Sequence, residues 1–158
     1  MNKYIVTEKE YKEIGERIKK LEIELREVMK EKGSVGSEVD SWHDEGFKLA
    51  VMQQHRLSKR LGELEDLFMK LEIIEPKEQK EQVYFGTGVE IEYDNGEIFK
   101  FILVGYQITN DGEKVSIYSP LGQAILGAKV GERRIFQVGE KIIKVTIKKI
   151  LSPSEVNI

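Results

Sequence analysis

The sequence has no cysteine, two histidines, one tryptophan and three prolines in 158 residues. Without cysteine there is no disulfide, no thiolate zinc site and no cysteine nucleophile, a usage that fits a reducing compartment. His43 and His55 are too few for a histidine-rich metal site. No run of about 18 apolar residues occurs, so neither a membrane span nor a membrane partner is expected. Met1–Val6 lacks an apolar stretch of signal-peptide length and no small-residue cleavage site follows it, so the expectation is a cytoplasmic rather than an exported protein. Neither charge sign dominates: 25 Lys and Arg stand against 28 Asp and Glu, a net charge of -3. That balance gives no global attraction for nucleic acid, and any such contact must be local or made through a partner.

What is present is a chain of two unlike halves. Thr7-Glu8-Lys9-Glu10 has the pattern of a capping box, in which hydroxyl and carboxylate satisfy the free backbone donors of a helix start. From there Tyr11, Ile14, Ile18, Leu21, Leu25 and Val28 recur in steps of three and four, the seam that two wrapped helices bury. Glu8/Lys12, Glu13/Arg17, Glu16/Lys20 and Glu22/Arg26 place acid before base at i, i+4 on the other faces. Gly33, Ser34, Gly36 and Ser37 are expected to break this helix. A second seam runs through Phe47, Ala50, Gln54, Leu57, Leu61, Leu64, Phe68 and Leu71, until Pro76 closes it. Two seams of similar length joined by a short turn imply an antiparallel hairpin, because a short turn cannot reach around to a parallel partner. About 25 residues per helix at about 1.5 Å each make a rod of roughly 35–40 Å. Periodicity alone is also satisfied by a coiled coil that only dimerises the chain.

The turn carries Gly36-Ser37-Glu38-Val39-Asp40-Ser41-Trp42-His43-Asp44-Glu45-Gly46-Phe47. Asp40 can serve as N-cap of the second helix, with Asp44 and Glu45 in the first turn complementing its dipole. That accounts for each acid but not for Trp42, a large apolar side chain at the far end of a rod. An aromatic beside clustered acids suits a surface that enters a partner. Asp40 and Asp44, about one helical turn apart, can also converge on magnesium, which takes one or two carboxylates, several waters and substrate phosphate.

Pro76 to Gln82 is polar and charged and reads as a linker, dividing the chain into a hairpin over 1–76, a linker over 77–82 and a second domain over 83–158. In that domain the period becomes two. Val89, Ile91 and Tyr93 alternate with Glu90 and Glu92, Asp94-Asn95-Gly96 supplies a hairpin turn, and Phe99, Phe101 and Leu103 continue on the next strand. Val115–Tyr118 is a further strand. Ser119-Pro120 opens a short helix, serine as cap and proline at its first position, aiming Leu121, Ala124, Ile125 and Leu126 at the sheet. Arg133–Val138 and Lys141–Leu151 form a hairpin about Gly139-Glu140. The expected class is α+β: an N-terminal antiparallel coiled-coil hairpin followed by an antiparallel sheet with one short helix. The glycines are scattered at turns rather than grouped as a phosphate-binding loop.

The block Val115-Ser116-Ile117-Tyr118-Ser119-Pro120-Leu121-Gly122-Gln123-Ala124-Ile125-Leu126-Gly127-Ala128-Lys129-Val130-Gly131-Glu132 resembles the C-terminal signature of bacterial Gre transcript-cleavage factors, the GreA and GreB family. Val83-Tyr84-Phe85-Gly86 is similar to that family's first C-terminal strand, and Arg60–Asp66 to the end of its second long helix. The resemblance implies an FKBP-like C-terminal domain that docks on RNA polymerase at the mouth of its secondary channel, with Ser119, Pro120 and Leu121 in the contact and the factor expected to act as a monomer. It implies a coiled coil reaching down the channel, where tip carboxylates share the polymerase's magnesium and promote hydrolysis of the RNA 3′ end in backtracked complexes. Asp40, Asp44 and Glu45 are the corresponding acids here, Asp40 and Asp44 the metal ligands, and Trp42 a partner contact. The chemistry would be the polymerase's own, the factor being accessory rather than an enzyme.

The chain departs from the family pattern at the tip. Asp40 matches the family's tip aspartate, but His43 falls where the family has its glutamate, and Asp44 replaces the neighbouring asparagine. Either Asp44 or Glu45 takes over the glutamate's role, or the tip occupies the channel without promoting cleavage, as in the family's Gre-like inhibitors. Tyr118 stands where an acidic or small residue is common in the family. A prolyl isomerase is the alternative of another class, opposed by the lack of a visible aromatic pocket. Arg56, Lys59 and Arg60 could meet RNA backbone, or could be an ordinary charged helix face.

Overall fold

The computed structural model describes residues 3–35, 45–108 and 111–156. The elements run in chain order as strand β1 (Tyr4–Val6), helix α1 (Glu8–Val35), helix α2 (Glu45–Phe68), β2 (Leu71–Ile73), β3 (Gly88–Tyr93), β4 (Ile98–Val104), β5 (Lys114–Ser116), α3 (Pro120–Ile125), β6 (Arg133–Val138) and β7 (Lys141–Leu151). A single 3₁₀ turn, Pro153–Glu155, follows. Tyr11–Leu71 make one compact unit; Asn2–Glu10 and Glu72–Ile158 together make the other.

In the helical unit, α1 starts where the capping box requires. The Thr7 backbone N–H donates to the Glu10 carboxylate at 2.6 Å, and the Glu10 N–H donates to the Thr7 hydroxyl at 3.2 Å. Ile14, Leu21 and Val28 are buried and Tyr11, Ile18 and Leu25 half-buried, while the residues between them are mostly exposed. Ala50 and Leu64 are their buried counterparts on α2. The helices are antiparallel: Phe68 at the end of α2 lies against Tyr11 near the start of α1, ring centroids 4.4 Å apart. With 28 residues, α1 extends about 42 Å from Glu8. The end of α1 at Val35 and the start of α2 at Glu45 therefore lie at the opposite end of the hairpin from the Tyr11–Phe68 contact.

Two boundaries differ from the sequence expectation. The α1 backbone stays helical through Gly33 and Ser34 to Val35; a glycine costs only about 1 kcal/mol in a helix and does not by itself end one. Helix α2 stops at Phe68, short of Leu71. Its last turn tightens, with Lys70 N–H donating to Leu67 O at 2.8 Å. Leu71 then leaves the helical seam to begin β2, which pairs with β1 in a two-stranded sheet. The β-branched Ile73-Ile74 pair favours the extended chain there, and Ile74 N–H donates to Val6 O at 2.9 Å.

The second unit is built on a five-stranded sheet in the order β5-β4-β3-β7-β6. The pairs β3–β4, β3–β7 and β6–β7 are antiparallel. The β4–β5 pair is parallel, against the expectation of a wholly antiparallel sheet. The Val104–Lys114 connection crosses over before Val115 pairs with Leu103, so a simple hairpin there is ruled out. Gly96, at φ 85°, turns β3 into β4, as Asp94-Asn95-Gly96 required. Val83, Val89, Ile91, Phe101, Leu103, Ile125, Ala128, Val145, Ile147 and Ile150 form the core. Of the residues expected on the inner face of α3, Ile125 is buried and Leu121 and Ala124 half-buried, whereas Leu126 is 41% exposed. Leu126 is the C-cap, where the chain leaves helical geometry and turns the side chain outward.

The polar segment after Pro76 is fastened rather than free. Ser154 donates to the Glu78 carboxylate through its backbone N–H at 3.1 Å and its hydroxyl at 2.6 Å. Lys80 lies 3.7 Å from Glu155.

Candidate functional site

The turn between β5 and α3 is organised by two serines. Ser116 donates its hydroxyl to Gly105 O at 2.7 Å and accepts from the Tyr118 N–H at 3.1 Å. Its carbonyl accepts from both the Ser119 hydroxyl at 2.7 Å and the Ser119 N–H at 3.0 Å. Ser119 then caps α3, its Oγ accepting from Gly122 N–H at 3.0 Å, with Pro120 at the first helical position as read from the sequence. Gly122 is buried, and a Cβ added to it would overlap the Ser116 carbonyl oxygen. Only glycine lets α3 pack this closely on the turn.

This scaffold leaves Pro120 exposed and Ser119 and Leu121 half-exposed. They border an open cleft of about 410 Å³ whose other walls include Lys114, Ser116 and Phe136. Its one aromatic side chain is Phe136. The three residues singled out in the sequence are thus held side by side on one rigid, solvent-facing turn.

The partners of Tyr118 were not anticipated. The Tyr118 hydroxyl accepts a hydrogen bond from the Ile5 N–H at 2.8 Å. Its ring meets Tyr4 edge-on at 5.2 Å, and Tyr4 in turn packs on Tyr106 at 5.0 Å. The available signal was the strand-forming Tyr4-Ile5-Val6 run directly ahead of the capping box.

At the other candidate position, Asp40, Trp42, His43 and Asp44 lie outside the described residues. Glu45 is the first residue of α2 and is exposed, where its carboxylate complements the helix dipole. Beyond it α2 exposes Leu49 and Met52 as well as His55, Arg56, Lys59 and Arg60. Arg60 is 3.9 Å from Glu63, a loose surface pair. Among the described residues no group of three or more His, Asp or Glu could hold a metal ion, and no helix is long and apolar enough to cross a membrane. The donor chemistry of Asp40 and Asp44, hard carboxylate oxygens, suits magnesium.

Hydrogen bonds from Ser152 and Ser154 hold the Glu78 carboxyl below its usual range. The Ser152 backbone N–H and hydroxyl do the same for Glu155. Burial, with Glu97 nearby, raises the Tyr93 phenol.

Comparison with known proteins matches residues 78–152 to the family model described as "Transcription elongation factor, GreA/GreB, C-term". The chain is 35% identical over 127 residues to the transcription elongation factor GreA of Thermotoga petrophila, covering 79% of this chain and 80% of that one. It belongs to the GreA/GreB family. The GreA of Nautilia profundicola is 30% identical over 136 residues, covering 84% of each chain. Among solved structures, GreA factor homolog 1 of Thermus thermophilus aligns with a TM-score of 0.46 at 23% identity, over 94% of this chain and 99% of that one. A GreA/GreB factor from Nitrosomonas europaea aligns at 0.40 and 24%, over 66% and 92%.

Proposed function

We propose that this Gre-family transcription elongation factor binds RNA polymerase at the secondary channel through the Ser119–Pro120–Leu121 turn. There it stimulates cleavage of the RNA 3′ end in backtracked complexes. The observation that carries the reading is the antiparallel pairing of α1 and α2, fixed by Tyr11 against Phe68. On this reading the acidic 36–44 segment, which follows an α1 of about 42 Å and precedes α2, is the hairpin's tip.

The chain's own part is to deliver oxygen donors. Asp40 and Asp44 would ligate magnesium together with the polymerase, and Glu45, at the start of α2, would orient the attacking water. Bound there, magnesium supplies Lewis-acid stabilisation of the phosphate and a more acidic water. The factor has no nucleophile of its own in this scheme. It is an accessory to the polymerase's hydrolytic activity, acting as a monomer and touching nascent RNA only through the polymerase.

His43, standing where the family pattern has glutamate, favours a second reading in which the hairpin occupies the channel and slows the polymerase without cleavage. One experiment separates the two: RNA 3′-end cleavage in a stalled, backtracked complex with the cognate polymerase, with and without the factor, across a magnesium series. Cleavage that accelerates and saturates with factor establishes the first reading. Slower elongation with no added cleavage establishes the second.

A further inference from the structure

We infer that Tyr118, with Tyr4 and Tyr106, is a brace through which the N-terminal strand holds the polymerase-docking turn in place. Tyr118 is thus a positioning residue for partner binding. The inference rests on the docking role proposed for Ser119–Leu121 and adds to it a contribution from residues more than 100 positions away.

Both backbone groups of Ile5 are committed to the region that carries the turn. Its carbonyl accepts from the Tyr106 N–H at 3.0 Å, and its N–H donates to the Tyr118 hydroxyl at 2.8 Å. The seat is built for a close approach: a Cβ on Gly105 would overlap the Ile5 carbonyl oxygen. Gly105 in turn accepts from Ser116, the serine that also fixes Ser119. β1 therefore touches the turn by two routes, through Gly105–Ser116 and through Tyr118, the residue immediately before Ser119. The ring of Tyr4 fills the space between, edge-on to Tyr118 and tilted on Tyr106. Aromatic contacts of this geometry favour one arrangement of the three side chains over others. Tyr118 is itself 37% exposed, so its contacts contribute little to the core and act mainly on the position of the turn.

The test measures affinity of the full-length factor for cognate RNA polymerase alongside amide exchange at Ile5, using Tyr118→Phe, Tyr4→Ala, the double variant and Pro120→Ala. Removing one hydrogen-bonding hydroxyl is expected to weaken polymerase binding by roughly 3- to 10-fold and to speed Ile5 exchange by a similar factor. Exchange in the β3–β4 hairpin should stay unchanged, showing that the sheet remains folded. Tyr4→Ala should weaken binding comparably, and the double variant should lose less than the product of the two, because both act through one contact. If Tyr118→Phe weakens binding but Tyr4→Ala does not, Tyr118 touches the polymerase directly and the brace is wrong. If neither changes affinity while Pro120→Ala reduces it, the brace is wrong and the docking reading stands. If Pro120→Ala is also without effect, the docking reading itself fails, and the brace fails with it.

Discussion

The Phe68 ring stacks at 31° on Tyr11 with centroids 4.4 Å apart, closing the open end of the helical hairpin. Both residues are half-buried. Phe68→Ala should therefore cost about 2–3 kcal/mol, below the cost of emptying a fully enclosed site. Urea denaturation followed by helical circular dichroism would show the loss.

Gly15 sits beneath the same ring, and an added Cβ would meet it at 3.7 Å, an ordinary contact. At Gly62 on α2 the space is open. Gly15→Ala and Gly62→Ala should each stabilise the hairpin by about 0.5–1 kcal/mol by restricting the unfolded chain. A lower urea midpoint for Gly15→Ala would show that the added methyl does not pack against Phe68.

Gly122→Ala should behave in the opposite sense. Its Cβ would collide with backbone at Ser116 and Ile117, atoms that cannot swing away. A loss of at least about 2 kcal/mol and disturbed amide signals at Ser116–Ser119 are expected.

Asp40→Ala combined with Asp44→Ala should lower factor-stimulated RNA cleavage by about 100-fold or more, the scale of several kcal/mol of transition-state stabilisation. Polymerase affinity should be unchanged, since the docking turn is untouched. Single-turnover cleavage and equilibrium binding on the same preparation would check both halves; a double variant that still cleaves at the normal rate removes the tip from the mechanism.

The Glu78 and Glu155 carboxyls are held below the usual carboxylate range by hydrogen bonds that only their charged forms accept fully. Depressed folded-state values mean that this fastening is complete above the ordinary carboxylate range and is lost as pH falls through the lower values. The Ser154 amide signal should therefore titrate with a midpoint below that of an ordinary glutamate. Glu78→Gln should abolish that titration.

What could be read from sequence followed from how local the determinants were. The seams, the Thr7/Glu10 box, the Asp94–Gly96 turn and the Ser119-Pro120 cap are set by residues within a few positions of each other, and each is found where the pattern put it. The end of α2 was misplaced because Leu71 fits a helical seam equally well. Only its pairing with β1, some 65 residues earlier, decides for strand. The parallel β4–β5 register and the tyrosine cluster were invisible for the same reason, since periodicity does not report a partner far along the chain. Ser119, Pro120 and Leu121 were singled out by their motif, and the contact of Tyr4 with the neighbouring Tyr118 required three dimensions.

The sheet unit is discontinuous in sequence: the chain leaves it after Glu10 and returns at Glu72. Ile5 and Tyr118 are separated by 113 residues, so at translation rates of about 5–20 residues per second the strand waits roughly 6–20 s for its partner to be made. Closing so long a loop costs entropy, though the cost rises by only about 0.6 kcal/mol for each doubling of length. The hairpin changes this, because its contacts are local to one helical pair and its chain is complete first. Once Phe68 has met Tyr11, the two ends of the intervening chain are already neighbours, and β1 searches for its seat across a loop shortened by about sixty residues. Formed first, the helices would thus lower the entropic cost of seating the first strand by roughly 0.6 kcal/mol.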